Sequence, residues 1–256
     1  KKLIGNTEMT SLDRLSALME RFELKVSPTS FEKANFVIVH CKDNEWPKWL
    51  YLTPQGHKLD PVCDAQDVSF SAYVSWGGES NPFFAALNEL VKLEIDGESD
   101  IRPLIEMLLT EYNAPRCGSS SVLSRLSEIL VVGLLRKQIQ QGATSISLLG
   151  GLADKRLSRA IVAVHDAPGK MWSNEELAEI AGLSISRFSE IFKDKVGETP
   201  AAYIRKWRLT LARQDLSRGD RVQEVAHRYC YNSPEALNHA FKQAFGVNPS
   251  AIRNSA

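Results

Sequence analysis

Two sets of side chains in this sequence have types that could do chemistry. His40, Cys41, His57 and Cys63 bring two imidazoles and two thiols, the groups that suit zinc or copper, into one short segment. The four cysteines, Cys41, Cys63, Cys117 and Cys230, are nevertheless scattered with no CxxC pair, which reads as individually placed reduced thiols and no structural zinc site. Ordinary core and surface roles are expected for them, with no metal and no cofactor. The second set is polar: Ser186, Arg187, Ser189 and Glu190, then Glu235, Asn238 and His239. Their hydroxyls, guanidinium, carboxylates, carboxamide and imidazole offer dense hydrogen bonding, which becomes a recognition surface only if some element holds them on one face.

A repeat supplies that element. The stretch IFKDKVGETP (Ile191 to Pro200) returns as AFKQAFGVNP (Ala240 to Pro249), so Phe192, Lys193, Gly197 and Pro200 precede Phe241, Lys242, Gly246 and Pro249 by 49 residues. Leu177-Ala178 precedes Val225-Ala226 by 48, so the second copy carries one extra residue in between. In the first copy Ser173 and Glu176 have capping-box spacing, with Trp172 and Leu177 as a hydrophobic staple, and the helix they open should end near Ala181. Gly182-Leu183-Ser184 then turns the chain, Phe188, Ile191 and Phe192 recur at helical spacing, and Gly197 stops the second helix. The second copy repeats the plan, with Asp220 and Gln223 at capping positions, Ser233-Pro234 opening the next helix, and Leu237 and Phe241 pointing inward.

Each copy is therefore expected to be a helix-turn-helix, whose second helix can lie in a DNA major groove. Between the copies Ala201 to Leu216 is free of Gly and Pro and ends before Gly219, which predicts a connecting helix roughly 24 Å long. Such a rod could hold two recognition helices about 34 Å apart, one turn of B-DNA. Charge agrees: the net charge is zero over 256 residues, but from Leu152 onward 16 Lys and Arg face 12 Asp and Glu. The longest apolar run, Ile129 to Leu135, is far short of a membrane span, so no membrane partner and a cytoplasmic location are expected.

The segments LAEIAGLSISRFSEIFKDKVGETPAAYIRKWRLTLAR and EVAHRYCYNSPEALNHAFKQAFGVNPSAIR, within Leu152 to Arg253, resemble the AraC/XylS-type bacterial transcription regulators. The resemblance implies an all-helical DNA-binding domain over 151–256, bound to double-stranded promoter DNA and usually activating transcription through RNA polymerase. It maps the recognition helices onto Ser184 to Lys193 and Ser233 to Lys242. With the apolar positions inward, the groove-facing side holds Ser186, Arg187, Ser189 and Glu190 in the first helix and Glu235, Asn238 and His239 in the second. Asn pairs bidentately with adenine, Arg and His donate to guanine, Glu accepts from cytosine, and Ser tolerates several bases. Arg187 and Glu190 are also spaced for an intrahelical pair. Ser233, Lys193, Lys242, Arg205 and Arg208 are candidates for phosphate contacts, which set register without reading sequence. Against the family pattern, Cys230 stands where glycine is usual, so that either the turn is distorted or the side chain needs packing, and Glu190 stands where a basic residue is common.

The first 150 residues read as a second domain. Phe36 to His40, Trp49 to Leu52, Val68 to Val74 and Leu90 to Ile95 have strand composition, and Met9 to Arg21, Ile101 to Tyr112 and Ser121 to Gln141 read as helices. The order of pieces, with LTPQGHKL at Leu52 to Leu59, resembles the AraC-type subgroup with an N-terminal cupin-type sensor. The implied fold class is α+β: a cupin-like β-barrel with a helical hairpin, then the helical domain. Only 20 residues separate Phe36 from His57, fewer than such a barrel's strands there take. Trp49, Tyr51, Tyr73 and Trp76 are candidates to line an effector pocket, or core. The expected protein is not an enzyme. It is a DNA-binding regulator, modulated through its N-terminal domain by a small-molecule effector or by pairing as a homodimer. The competing readings are a metal-dependent cupin enzyme with a DNA-binding appendage, whose paired histidines and carboxylate are absent, and a regulator controlled by a protein partner.

Overall fold

A computed structural model describes residues 15, 19, 22, 24–41, 44–54, 59, 62–76, 81, 87, 90–95, 100–141 and 147–253. The chain divides into Phe22–Ala153 and, as the other unit, Asp154–Ala256 with Lys1–Arg21. Most of the helix expected at Met9 to Arg21 falls outside the described residues; within it the Met19 amide donates to the Leu15 carbonyl at 2.9 Å.

Unit Phe22–Ala153 is built on five strands, β1 (Leu24–Pro28), β2 (Phe36–Cys41), β3 (Asn44–Leu52), β4 (Val68–Trp76) and β5 (Val91–Glu94). They pair antiparallel in the order β1-β4-β2-β3-β5, and among the described residues β1 and β5 are the edges of one open sheet. Register explains the composition. Ile38 lies opposite Leu50 and Phe70, and Val37 opposite Tyr51 and Ser71, so the run FVIV supplies both faces of the sheet. One face buries Val26, Phe36, Ile38, Leu50, Phe70 and Trp76, while the other buries Val37, Val39 and Tyr51 with Ala34 and Leu59. A sheet covered on both sides reads as continuous apolar stretches, and that is how β2 reads. The short spacing from Phe36 to His57 has a simple cause, since β2 and β3 form a direct hairpin closed at Cys41 and Asn44.

Strand β1 is the element that composition left unmarked. Its signal is only Leu24 and Val26 alternating with Lys25 and Ser27, and it ends in a proline. After the sheet come α1 (Arg102–Asn113), α2 (Ser119–Gln140) and the short α3 (Leu148–Ala153). α1 and α2 pack as the expected hairpin, and α2 also packs on β1. The hairpin corner is polar inside: the buried Glu111 carboxylate accepts hydrogen bonds from Arg116 and Ser119, which hold it below the usual carboxylate range.

The C-terminal unit holds α4 (Leu157–Asp166), α5 (Asn174–Ala181), α6 (Ile185–Val196), α7 (Pro200–Ser217), α8 (Val222–Arg228), α9 (Pro234–Phe245) and α10 (Pro249–Arg253). α4 has no side-chain N-cap of its own; Asp154 accepts from the Arg156 and Leu157 amides at 2.8 and 3.2 Å in that role. A row of rings runs through the core of the first repeat, with Phe188 against Phe192, Phe192 against Tyr203, and Trp207 stacked 4.2 Å from His165. The buried His165 Nε2 and Tyr203 hydroxyl are hydrogen-bonded, which joins α4 to α7. α7 runs one residue further at each end than the stretch free of Gly and Pro predicts, 18 residues or about 27 Å.

Candidate nucleic-acid interface

The two repeat units share their backbone devices. At α5 the capping box is complete: the Glu176 amide donates to Ser173 Oγ at 3.1 Å and the Ser173 amide to Glu176 Oε2 at 3.2 Å. Ser184 caps α6 by accepting from the Arg187 amide, and Ser233 caps α9 by accepting from the Ala236 amide at 3.2 Å. Gly197 and Gly246, at φ 89° and 73°, end these helices, each donating its amide to a lysine carbonyl, Lys193 or Lys242, at 2.9 Å. A positive φ is the conformation glycine adopts without strain, which is why both copies of the motif carry it.

The turns also coincide. Leu183 donates to Ala178, and Tyr231 to Ala226, both at 2.9 Å. Ser184 follows Leu183 directly, whereas Asn232 stands between Tyr231 and Ser233, so the extra residue of the second copy is Asn232. One cap expectation changes. Asp220 does not cap α8, whose N-cap Arg221 makes no side-chain cap bond. Asp220 and Asp215 both accept from Arg228, and Asp215 also accepts from the Tyr229 hydroxyl at 2.7 Å, so these carboxylates anchor the end of α8 to that of α7. They push the Arg228 guanidinium pKa further up.

On α6, Phe188, Ile191, Phe192 and Val196 are buried, leaving Ser186, Arg187, Glu190 and Lys193 exposed and Ser189 half-buried. On α9, Leu237 and Phe241 are buried, leaving Glu235, Asn238, His239 and Lys242 exposed and Ser233 half-buried at the helix start. Arg187 Nη1 and Glu190 Oε2 are 2.8 Å apart, so in the free protein these two side chains face each other. The Glu235 carboxyl is held below its ordinary range by the Ser233 hydroxyl and by the start of its own helix, so it stands there as an ionised acceptor. Arg205 is exposed on α7.

Arg208 departs from expectation. Its Nε donates to the Pro168 carbonyl at 2.8 Å and its Nη2 to the Lys170 carbonyl at 2.6 Å, so its fork clasps the turn between α4 and α5. An arginine fork that meets two carbonyls ties α7 to this turn in the free protein. Sequence reasoning had no access to that turn, because Pro168 and Lys170 are 40 and 38 residues away from Arg208. Gly169 was missed for the same reason. A Cβ placed on it would lie 2.4 Å from the Arg228 carbonyl oxygen, and its own carbonyl accepts from the Cys230 thiol at 2.7 Å. Cys230 holds φ 61°, and among the described residues it is the non-glycine with positive φ. The expectation that its side chain needs packing is answered by Gly169.

In the sheet unit the aromatic candidates do not converge. Trp76 is buried on one face and donates its indole N–H to the Phe22 carbonyl at 2.9 Å. Trp49 and Tyr51 lie on the other face, with Lys92 Nζ 3.6 Å over the Trp49 ring, and Tyr73 is half exposed on a strand separated from theirs by β2. Trp76 is therefore a core residue, and the four do not line one pocket. Of the imagined metal ligands, His40 Nδ1 is hydrogen-bonded to Ser69 Oγ at 3.2 Å, Cys63 packs beside Tyr51 and Leu59, and His57 lies outside the described residues. Among the described residues no three His, Cys, Asp or Glu side chains gather as a metal set would require.

Comparison with known proteins places this geometry. The family described as a helix-turn-helix domain matches residues 177–255, and the cupin family matches 39–140. An uncharacterized HTH-type transcriptional regulator of Haemophilus influenzae is 33% identical over 62% of this chain and 53% of its own length. A putative AraC-like transcription regulator of Streptomyces lividans is 32% identical over 62% of this chain and 49% of its own. The chain thus combines a helix-turn-helix domain with a cupin domain and is similar to proteins named as AraC-like transcription regulators. The HTH-type transcriptional regulator AlkR of Acinetobacter baylyi is 34% identical over 68% of this chain and 58% of its own. The chain spans about half the length of the curated relatives it matches.

Proposed function

We propose that this protein is a DNA-binding transcriptional regulator that reads two successive major grooves, one with α6 and one with α9. The observation that carries the reading is the duplication of a capped helix that buries its phenylalanine side and exposes its polar side, joined by a helix of about 27 Å. In this reading Ser186, Arg187, Ser189 and Glu190 face one groove and Glu235, Asn238 and His239 the next. Ser233, Lys193, Lys242 and Arg205 hold phosphates and set the register. Glu190 opposite Arg187 makes the first unit the less attractive to DNA of arbitrary sequence. The protein works on promoter DNA in the cytoplasm as an activator that contacts RNA polymerase, without enzymatic activity. The cupin-type unit, whose sheet is buried on both faces, modulates binding through a small molecule or a second copy of the chain, by shifting the population in which both helices sit on DNA.

Selection of bound duplexes from a random pool at two salt concentrations tests the reading. A two-part motif with halves about one helical turn apart, bound more weakly at high salt, is the expected result. A one-part motif would overturn the two-groove arrangement, and salt-independent binding would overturn the phosphate contacts.

A further inference from the structure

The turn Ala167–Lys170, between α4 and α5, contacts α5, α7 and the end of α8 with the turn that follows it. Toward the first repeat, the Trp172 indole donates to the Ala167 carbonyl at 3.0 Å, while Lys170 Nζ lies 3.2 Å from Glu176 and over the Trp172 ring. Toward the connecting helix, its Pro168 and Lys170 carbonyls are clasped by Arg208 of α7. Toward the second repeat, Gly169 accepts from the Cys230 thiol and lies so close to the Arg228 carbonyl that no side chain fits between them. Cys230 makes this contact from the one left-handed turn that is formed without glycine among the described residues.

We propose that this turn is a spacing determinant: Gly169, Arg208 and Cys230 rivet the second recognition helix to the first, so that the protein accepts half-sites at a single separation. The inference rests on the two-groove reading above. α8, α9 and α10 pack along α7, and Arg228 and Tyr229 are tied to Asp215 near its end. The turn 167–170 adds a further attachment off the axis of α7, directly between the two repeats. Two rigidly held modules gain on the order of a hundredfold or more in affinity when their span matches the sites, and lose the gain when it does not.

The test uses the full chain and the operator it selects, rebuilt as a series of duplexes with the half-sites moved together or apart by one to five base pairs. The wild type should bind the native spacing best and lose about a hundredfold when five pairs are inserted. Arg208→Ala should reduce the ratio between native and one-pair-shifted duplexes by about tenfold, with the base preferences inside each half-site unchanged. Cys230→Gly keeps the left-handed turn without strain while removing the thiol, and should reduce the same ratio by a few-fold. Thermal melting of both variants identifies a mere loss of folding. If both variants keep the wild-type spacing ratio, the rivet is overturned. If Arg208→Ala instead weakens every duplex alike and lowers the salt slope by about one, Arg208 is a phosphate ligand and the rivet fails. A wild type indifferent to spacing defeats the two-groove reading itself, and the inference with it.

Discussion

Gly182 and Cys230 hold the same place in the two repeat units and nearly the same φ, 67° and 61°, yet their surroundings differ. A Cβ on Gly182 would meet nothing within 4 Å, whereas the side chain of Cys230 is engaged with Gly169. The first turn therefore needs only a residue without conformational penalty. The second accepts a penalty of about 1 kcal/mol for a left-handed side chain and offsets it by a tertiary contact. A repeated sequence thus carries one local geometry into two different tertiary roles, one unit standing on its own turn and the other docked through it.

The deepest way to break the comparison is to remove the part that both units share. Phe192→Ala and Phe241→Ala, equivalent and both buried, should each destabilise the protein by about 3–5 kcal/mol in urea denaturation. A much smaller loss for Phe241 would show that the second unit owes its stability to docking more than to its own core. Next, Asn238→Ala should relax preference at one operator position by about 1–3 kcal/mol, whereas Lys242→Ala should weaken binding to all sequences alike, both read from binding to a panel of duplexes. Equal loss across sequences for both would mean that α9 does not present Asn238 to the bases.

Gly182→Ala, in open space, should cost about 1 kcal/mol through φ alone, while Cys230→Gly should change stability by less than that because relief of strain and loss of the thiol contact oppose each other. Equal destabilisation by the two would erase the distinction between the turns. The smallest effect concerns acid. Glu176 is held low in pKa by the Ser173 amide and by Lys170, and Glu235 by Ser233 and its helix start. A carboxyl whose pKa is lower folded than unfolded adds stability above its unfolded pKa, and that stability is lost as pH falls through the folded value. Carbon-detected titration should therefore place both midpoints below that of a free glutamate, and capping should weaken in both units only under acid.

Much of the helical unit was legible locally. Ser173 with Glu176, Ser184, Ser233, Gly197 and Gly246 are capping signals within four residues of the groups they satisfy, and Phe188, Ile191 and Phe192 mark one side of a helix by spacing alone. Asp220 shows the limit, since its capping position was real in spacing but its carboxylate was drawn to Arg228 by a stronger, charged partner. In the sheet unit, Trp49 and Trp76 looked alike as aromatic residues of strands, and only register put them on opposite faces.

The sequence by itself determined the capped ends of α5, α6 and α9 and which apolar side chains turn inward on α6 and α9, because caps and periodicity act over one or two turns of chain. Only the tertiary structure decided that Arg208 clasps a turn 40 residues away and that Cys230 rests on a glycine 61 residues away. Hydrogen bonds to backbone carbonyls leave no mark on the residues that accept them, since every residue has a carbonyl.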